Sequence, residues 1–217
     1  MKNQCRDYIV ETDDIDFCVS ASNDDLENER KAAEKEFSDG YLESVCVYRN
    51  LCYKLPEYDA FLLHASVVAV DNKAYGFCAS SGTGKSTHTL LWKELLGDKM
   101  IFVNGDKPIF YIGDNTTVYG TPWAGKENLQ RNTNALLGGI CIIKRGLKNK
   151  ITKLEPFMVL PHIMNQVYMP QNRAAMDATI KLIDRLITTV PVYLLECNIS
   201  EEAVKTSFMA LTGEEYK

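Results

Sequence analysis

Stretches of apolar residues change rhythm along the chain, and those changes mark out the elements. Tyr41, Val45, Tyr48, Cys52 and Leu55 recur at helical spacing until Pro56 closes the pattern, so a helix packed through that stripe is expected there. Phe61 to Val70 is apolar and β-branched enough for one buried strand. Asp71-Asn72-Lys73 is turn material, and Ala74 to Ala79 reads as the returning strand of a hairpin. A helix follows to about Leu96, ended by Gly97, and then a short buried strand from Met100 to Val103. Pro108–Ile112 and Thr117–Tyr119 flank Gly113-Asp114-Asn115 as a second hairpin. A polar, Gly-rich loop from Gly120 to Asn134 precedes a strand near Gly139–Lys144. Leu154–Met169 reads as broken helix, interrupted by Pro156 and Pro161 and closed by Pro170. Ala175–Val190 is an amphipathic helix with Ile180, Ile183, Leu186, Ile187 and Val190 inward. Val192–Cys197 and Glu201–Leu211 are the last strand and helix. Strands alternate with helices while two hairpins intrude, so the pattern predicts an α/β chain with a mixed sheet.

Charge separates the first part of the chain from the rest. Between Glu11 and Gly40 there are eleven acidic and three basic residues, a net −8, in a 217-residue chain whose total is −5. Ser22, Asn23 and Asp24 offer N-cap chemistry for a helix running to about Phe37, whose thin apolar face (Leu26, Ala33, Phe37) predicts a surface position. Residues 1–56 are therefore expected to form an acidic layer packed on a core domain of residues 57–217. The charge is read as a solvated face.

Composition narrows the class. A hydrophobic content of 46% is too high for a disordered chain, and no apolar run is long enough for a membrane span. The N-terminus leads into acidic residues and offers no secretory signal. Seven scattered cysteines without a C-x-x-C pair argue against a disulfide framework or a zinc site, and suit a reducing cytoplasm. The modest negative charge gives no invitation to nucleic acid or to an anionic membrane.

The strongest chemical signal is Ser81-Gly82-Thr83-Gly84-Lys85-Ser86-Thr87, between a predicted strand and a predicted helix. Glycines at 82 and 84 let successive backbone N–H groups turn toward phosphate oxygens, and the helix N-terminus adds its positive end. Lys85 can reach β and γ phosphates, and the Ser86 hydroxyl is placed to ligate Mg²⁺. The first glycine of a Walker A motif is Ala79 here.

Three further features surround that loop. If Asp71-Asn72 is a two-residue turn, His64 lies opposite Ala79 in the hairpin; a three-residue turn puts it opposite Ser80. There it would bind a phosphate oxygen, accept a proton near neutral pH, or simply be satisfied by a core partner. Asp106, after the strand that follows the loop helix, would hold Mg²⁺ or accept the proton of an attacking hydroxyl, or only shape the turn. Lys126 and Arg131, in the Gly120–Asn134 loop, could neutralise transferring phosphate, and Trp123 could pack on a base or substrate; a plain surface loop is the rival reading. His88 and His162 lack metal-ligand spacing and read as structural. The basic run Gly146–Lys153 reads as a solvated hairpin.

With these residues in view, the chain resembles the HPr kinase/phosphorylase and phosphoenolpyruvate carboxykinase superfamily, most of all its small bacterial HPr-kinase-related proteins, from about Phe61 onward. Ser81–Thr87 is similar to the superfamily's S-G-x-G-K-[ST] loop, and the upstream histidine of HPr kinases falls at His64. The paired aspartates fall at Gly105-Asp106, where only the second remains. Tyr119–Gly125 and Gln166–Pro170 look like motifs of the small related kinases. The resemblance implies a P-loop core with a mixed sheet flanked by helices, and Mg²⁺-dependent transfer of the γ-phosphoryl group of ATP to a hydroxyl of a protein, peptide or small molecule. With the reading of the residues above, this gives nucleotide binding by Ser81, Gly82, Thr83, Gly84, Lys85, Ser86 and Thr87, metal binding by Ser86 and Asp106, and catalysis by Asp106, His64 and Lys85, with Arg131 added from the loop reading alone. With Gly105 in place of the partner aspartate, two readings stay open: Asp106 serves the metal and leaves the proton to His64, or the chain is a weak catalyst. A nucleotide-binding regulator and a simple NTPase are the alternatives, and a homo-oligomer stays open. A carboxykinase proper needs a longer chain.

Overall fold

The computed structural model describes residues 2–216. In chain order the helices and strands are α1 (Lys2–Cys5), α2 (Asn23–Ala32), α3 (Asp39–Lys54), β1 (Ala60–Leu62), β2 (Ser66–Val70), β3 (Lys73–Cys78), α4 (Lys85–Leu96), β4 (Met100–Asn104), β5 (Ile109–Ile112), β6 (Thr116–Tyr119), β7 (Asn134–Arg145), β8 (Lys150–Lys153), α5 (Pro156–Met164), α6 (Arg173–Thr189), β9 (Val192–Cys197) and α7 (Glu201–Thr212). The nine strands form one mixed sheet, ordered β1-β5-β6-β7-β3-β2-β4, with β9 between β7 and β8. It is a mixed α/β architecture, as the alternation of strands, helices and hairpins predicts.

Side-chain alternation decides which helices cover which face. Along β3, Ala74 and Cys78 join the core shared with α5 and α6 (Val159, Ile163, Ile183, Leu186). Tyr75 and Phe77 join the core shared with α4 and α7 (Trp92, Val204, Phe208). A strand buried on both faces must be apolar throughout, which is why β2 and most of β3 read as continuous runs. The hairpin between them turns on Asp71 (φ 48°) and Asn72 (φ 63°), a two-residue connection with Val70 opposite Lys73.

Strand direction creates the functional rim. β2 runs antiparallel to both β3 and β4, so β3 and β4 point the same way, and β7 and β9 are parallel to β3. Four strand ends therefore open on one edge: the turn after Cys78, the Gly105-Asp106 step after Asn104, Arg145, and Asn198 after β9.

The structure departs from the expected elements in several places. The run Phe61–Val70 is two strands. β1 pairs with β5, then Leu63 bridges to Val167 and the His64 amide donates to Gln166 O (2.8 Å), before β2 joins β3 and β4. The β2–β3 ladder ends at Ser66–Phe77, so His64 has left it and does not lie opposite Ala79. β7 starts at Asn134, earlier than expected, because its first residues pair with β6; a bulge at Gly138 then shifts its register against β3. A Cβ at Gly138 would lie 2.9 Å from the Tyr75 ring. The basic run after Gly146 is not a hairpin with β7, since β8 pairs antiparallel with β9. Ile180 is 40% exposed, and Thr179 takes the inward position in its place, its hydroxyl donating to Ala175 O (2.8 Å).

The first part of the chain differs in the same way. α2 ends at Ala32, five residues short of Phe37, because it buries no side chain that would reward further turns. Phe37 instead stacks on Tyr41 (4.6 Å between centroids). Ser22 and Asp25 form a reciprocal capping box at the start of α2, and the Arg49–Glu29 ion pair ties α2 to α3. On α3 the buried stripe is Leu42, Cys46 and Cys52, rotated from the expected one, and Tyr41 is exposed. Cys52 and Leu55 pack with Ala60 and Leu62 beneath the half-buried Tyr48 and Tyr168, so α3 lies against β1. No helix among the described residues is long and apolar enough to cross a membrane.

Candidate active site

The turn from Ala79 to Gly84 joins the buried end of β3 to α4. Gly82 (φ +73°) and Gly84 (φ +120°) both occupy backbone conformations that L side chains rarely adopt, and a Cβ at either would meet nothing within 4 Å. Glycine is needed there for conformation and not for space. Gly84 is the N-cap of α4 and brings no capping side chain, and no acidic residue sits in the first turn. Nothing from the side chains competes for the amides or the positive end of this helix.

Lys85, the first residue of α4, reaches Asp106. Its Nζ lies 3.4 Å from Asp106 Oδ1, and its side chain is only 10% exposed. His64 Nε2 is 2.9 Å from the same oxygen, and Lys107 Nζ is 3.3 Å from Oδ2. Burial pushes the Asp106 carboxyl up, but the His64 hydrogen bond and the Lys107 and Lys85 charges outweigh it and hold the group well below the usual carboxylate range. Burial pushes the Lys85 ammonium down, and the Asp106 charge works against that. Asp106 is thus an ionised anchor for three basic groups.

Asn104 places this carboxylate. Fully buried at the end of β4, its Oδ1 accepts from the Asp106 amide (2.8 Å) and the Lys107 amide (2.7 Å). Its Nδ2 donates to Thr121 O (3.0 Å), Thr121 Oγ1 (3.2 Å) and Trp123 O (3.1 Å). One side chain therefore fixes both the Asp106 backbone and the start of the 120–133 loop. The Gly105 amide donates to Leu129 O (2.6 Å), and a Cβ on Gly105 would lie 3.1 Å from Leu129 Cβ. The loop passes close to where a side chain at this position would begin, so one could be added only if Leu129 gave way by a few tenths of an ångström.

The expected site residues do not all converge. Lys85, His64 and Asp106 do. Ser86 is half-buried in the first turn of α4, while Ser81 and Thr87 are exposed. Arg131 is exposed and lines a separate cleft with Tyr8 and Gln130; only its backbone serves the sheet, its amide donating to Val103 O (3.1 Å). Lys126 shares a cleft with Asp106. Trp123 is held in place at one edge: its Nε1 donates to Ser44 Oγ (3.1 Å) and Ser44 O (3.3 Å), pinning the loop to α3. His88 is structural, as expected, its Nε2 lying 3.0 Å from Ser207 Oγ. His162 instead lines a cleft of about 570 Å³ beside Ser80–Thr83, together with Asn165 and Gln166, whose Oε1 is buried without a partner.

The sequence pattern assigns no site role to Asn104, Arg145 or Lys107. Arg145 donates from NH2 to Gly82 O (2.5 Å) and from Nε to Thr83 O (3.3 Å), bracing the glycine turn from the neighbouring strand. Lys107 bonds Asp106 and lies over the Tyr48 ring at 5.2 Å. The signal for Arg145 was its place after the apolar run Gly139–Ile143, at the end of a strand parallel to β3.

No group of three or more His, Cys, Asp or Glu able to hold a metal occurs among the described residues. The donors near the turn are the Ser86 hydroxyl and the Asp106 carboxylate, whose Oδ2 has a single basic neighbour, Lys107. That set fits a divalent ion that brings most of its ligands as water and substrate phosphate, as Mg²⁺ does.

No family model matches the chain, and no curated protein matches it in sequence. Among solved structures the chain is similar to the Hpr(Ser) kinase/phosphatase from Coxiella burnetii, at a TM-score of 0.38 and 12% identity, over 70% of this chain and 99% of that one.

Proposed function

We propose that the chain is an ATP-dependent phosphotransferase of the HPr-kinase-related type, acting in the cytoplasm on a hydroxyl-bearing acceptor. The observation that carries this reading is the meeting of Lys85, from the first position after the glycine turn, with His64 on Asp106. In this reading the turn amides and Lys85 hold the β and γ phosphates, as in a P-loop. Arg145 keeps the turn in its receptive shape. Ser86 and Asp106 would hold Mg²⁺, which supplies charge neutralisation for the phosphates.

The low Asp106 pKa makes it a poor proton acceptor and a good orienting group. With the His64 Nε2–H donated to Asp106, Nδ1 is left to take the acceptor's proton, so His64 is the proposed base. As the hydroxyl oxygen bonds to the γ phosphorus, the bond from that phosphorus to the β–γ bridging oxygen breaks and ADP departs. Lys126 is better placed than Arg131 to offset charge, since it shares the Asp106 cleft.

A second reading has its own support. Three basic groups already occupy Asp106, and Leu129 passes close to where a side chain at position 105 would begin. Such a site suits a regulator that binds nucleotide without transfer. Incubation with γ-labelled ATP, Mg²⁺ and a dialysed cell lysate, beside Lys85→Ala, separates the two. Label in an acceptor fraction that disappears with the variant is the kinase result. Nucleotide binding without loss of γ-phosphate is the regulator result, and label in free phosphate alone is that of an NTPase.

A further inference from the structure

Asp106 lines a cleft of about 820 Å³ that shares no lining residue with the cleft beside the glycine turn. One wall is α3, through Tyr41, Ser44 and Tyr48; the other is Lys107 with the Trp123–Lys126 stretch. The walls are fastened to each other. Trp123 Nε1 donates to Ser44, the Trp123 and Tyr48 rings meet edge to face at 5.6 Å, and Lys107 lies over Tyr48. The acidic first part of the chain thus contributes a side of the site.

We infer that this cleft receives the phosphoryl acceptor, and that the acceptor carries a carboxylate beside its reacting hydroxyl; this rests on the kinase reading above. In-line transfer requires the hydroxyl to approach from the side away from the departing ADP. With the phosphates at the turn and Lys85, the cleft on the Asp106 side offers that approach. The charge of the walls then selects the acceptor. Lys107 is paired with Asp106, whereas Lys126, exposed on the opposite stretch, forms no ion pair among the described residues. An unpaired ammonium lining this cleft favours an anionic group next to the hydroxyl. Tyr41, half exposed, supplies aromatic surface for the rest of the acceptor. A serine flanked by glutamate in a peptide and a free hydroxy acid both present this chemistry.

The test measures binding directly. Two fluorescein-labelled eight-residue peptides, identical except that the central serine is flanked by glutamates or by lysines, are titrated by anisotropy in the presence of Mg²⁺ and ADP. Glycerate is titrated by calorimetry. The glutamate peptide is expected to bind at least about tenfold more tightly than the lysine peptide, and Lys126→Glu to reverse that order. If glycerate binds in a Lys126-dependent way while neither peptide does, the same site is assigned to a small hydroxy acid. Equal affinities, an order unchanged by Lys126→Glu, or no binding of any of the three overturns the inference. Lys126 is on the surface, so the charge reversal leaves the core intact, and a thermal melt checks this. The same peptides with γ-labelled ATP test the kinase reading separately. Lys126-dependent binding without transfer keeps the cleft and removes the kinase, and transfer with no peptide preference does the reverse.

Discussion

His64 Nε2 lies 2.9 Å from Asp106 Oδ1, bringing together the break between β1 and β2 and the end of β4. The break is what frees His64. Had Phe61–Val70 stayed one strand, its ring would have been committed to the hairpin. Replacing His64 with Gln keeps a donor for Asp106 and removes the titratable nitrogen. Phosphoryl transfer is expected to fall by about 10²–10⁴-fold, with nucleotide affinity nearly unchanged. Transfer that survives the substitution at an unchanged rate would assign the proton to another group.

Asp106 also links the site to acid stability. A carboxylate with a depressed folded pKa stabilises the fold above its unfolded value, here 3.8, and loses that contribution as pH falls through the folded value. Asp106→Asn should therefore lower the urea midpoint at pH 7, with the two midpoints converging as pH drops below 3.8. Parallel curves down to pH 3 would mean that the three basic neighbours do not stabilise the ionised form.

His88 gives an earlier acid transition. Burial pushes its imidazole down from 6.5 to about 4. Ser207 donates its own proton to Val204 O (2.9 Å) and accepts from Trp92 Nε1 (2.9 Å), so His88 faces it with Nε2–H. Because the unfolded chain protonates first, stability drops as pH falls from 6.5, by about 3 kcal/mol at pH 4. His88→Gln, which retains a donor for Ser207, should flatten that part of the stability–pH curve. An unchanged slope in denaturant titrations would count against it.

Asn104 is the residue on which the site's backbone hangs. Asn104→Ala removes hydrogen bonds to two amides and to the start of the 120–133 loop, leaving buried polar groups unpaired. A loss of about 3 kcal/mol is expected in urea unfolding. Asn104→Asp keeps Oδ1 for the two amides and gives up the Nδ2 donors, so hydrogen exchange should speed up at Thr121–Trp123 more than at Asp106. Uniform exchange changes would show that the two halves are not held separately.

What could be read from the residues alone was whatever depends on local rhythm. The Asp71-Asn72 turn, the end of α4 at Gly97 and the glycine turn all follow from short-range chemistry, and all are where the pattern puts them. The break at Leu63–Ala65 leaves no local mark, because both halves are buried and equally apolar; it is caused by partners at Gln166 and Val167. Thr179 displaces Ile180 since its hydroxyl bonds within its own helix, which hydrophobicity alone does not register. Asp106 was legible from its strand end. The roles of Lys107, Asn104 and Arg145 depend on three strands and a loop meeting, and Arg131 looked plausible only because its loop was near the site in sequence.

Every functional statement depends on the turn before Lys85 being a site for a nucleotide's phosphates. Calorimetric titration of ADP with Mg²⁺ into the chain and into Lys85→Ala tests this most directly. The expected result is one-site binding, weakened by at least about 100-fold, or about 2.7 kcal/mol, in the variant. Equal affinity in the two proteins, or no binding to the unaltered chain, would contradict the account.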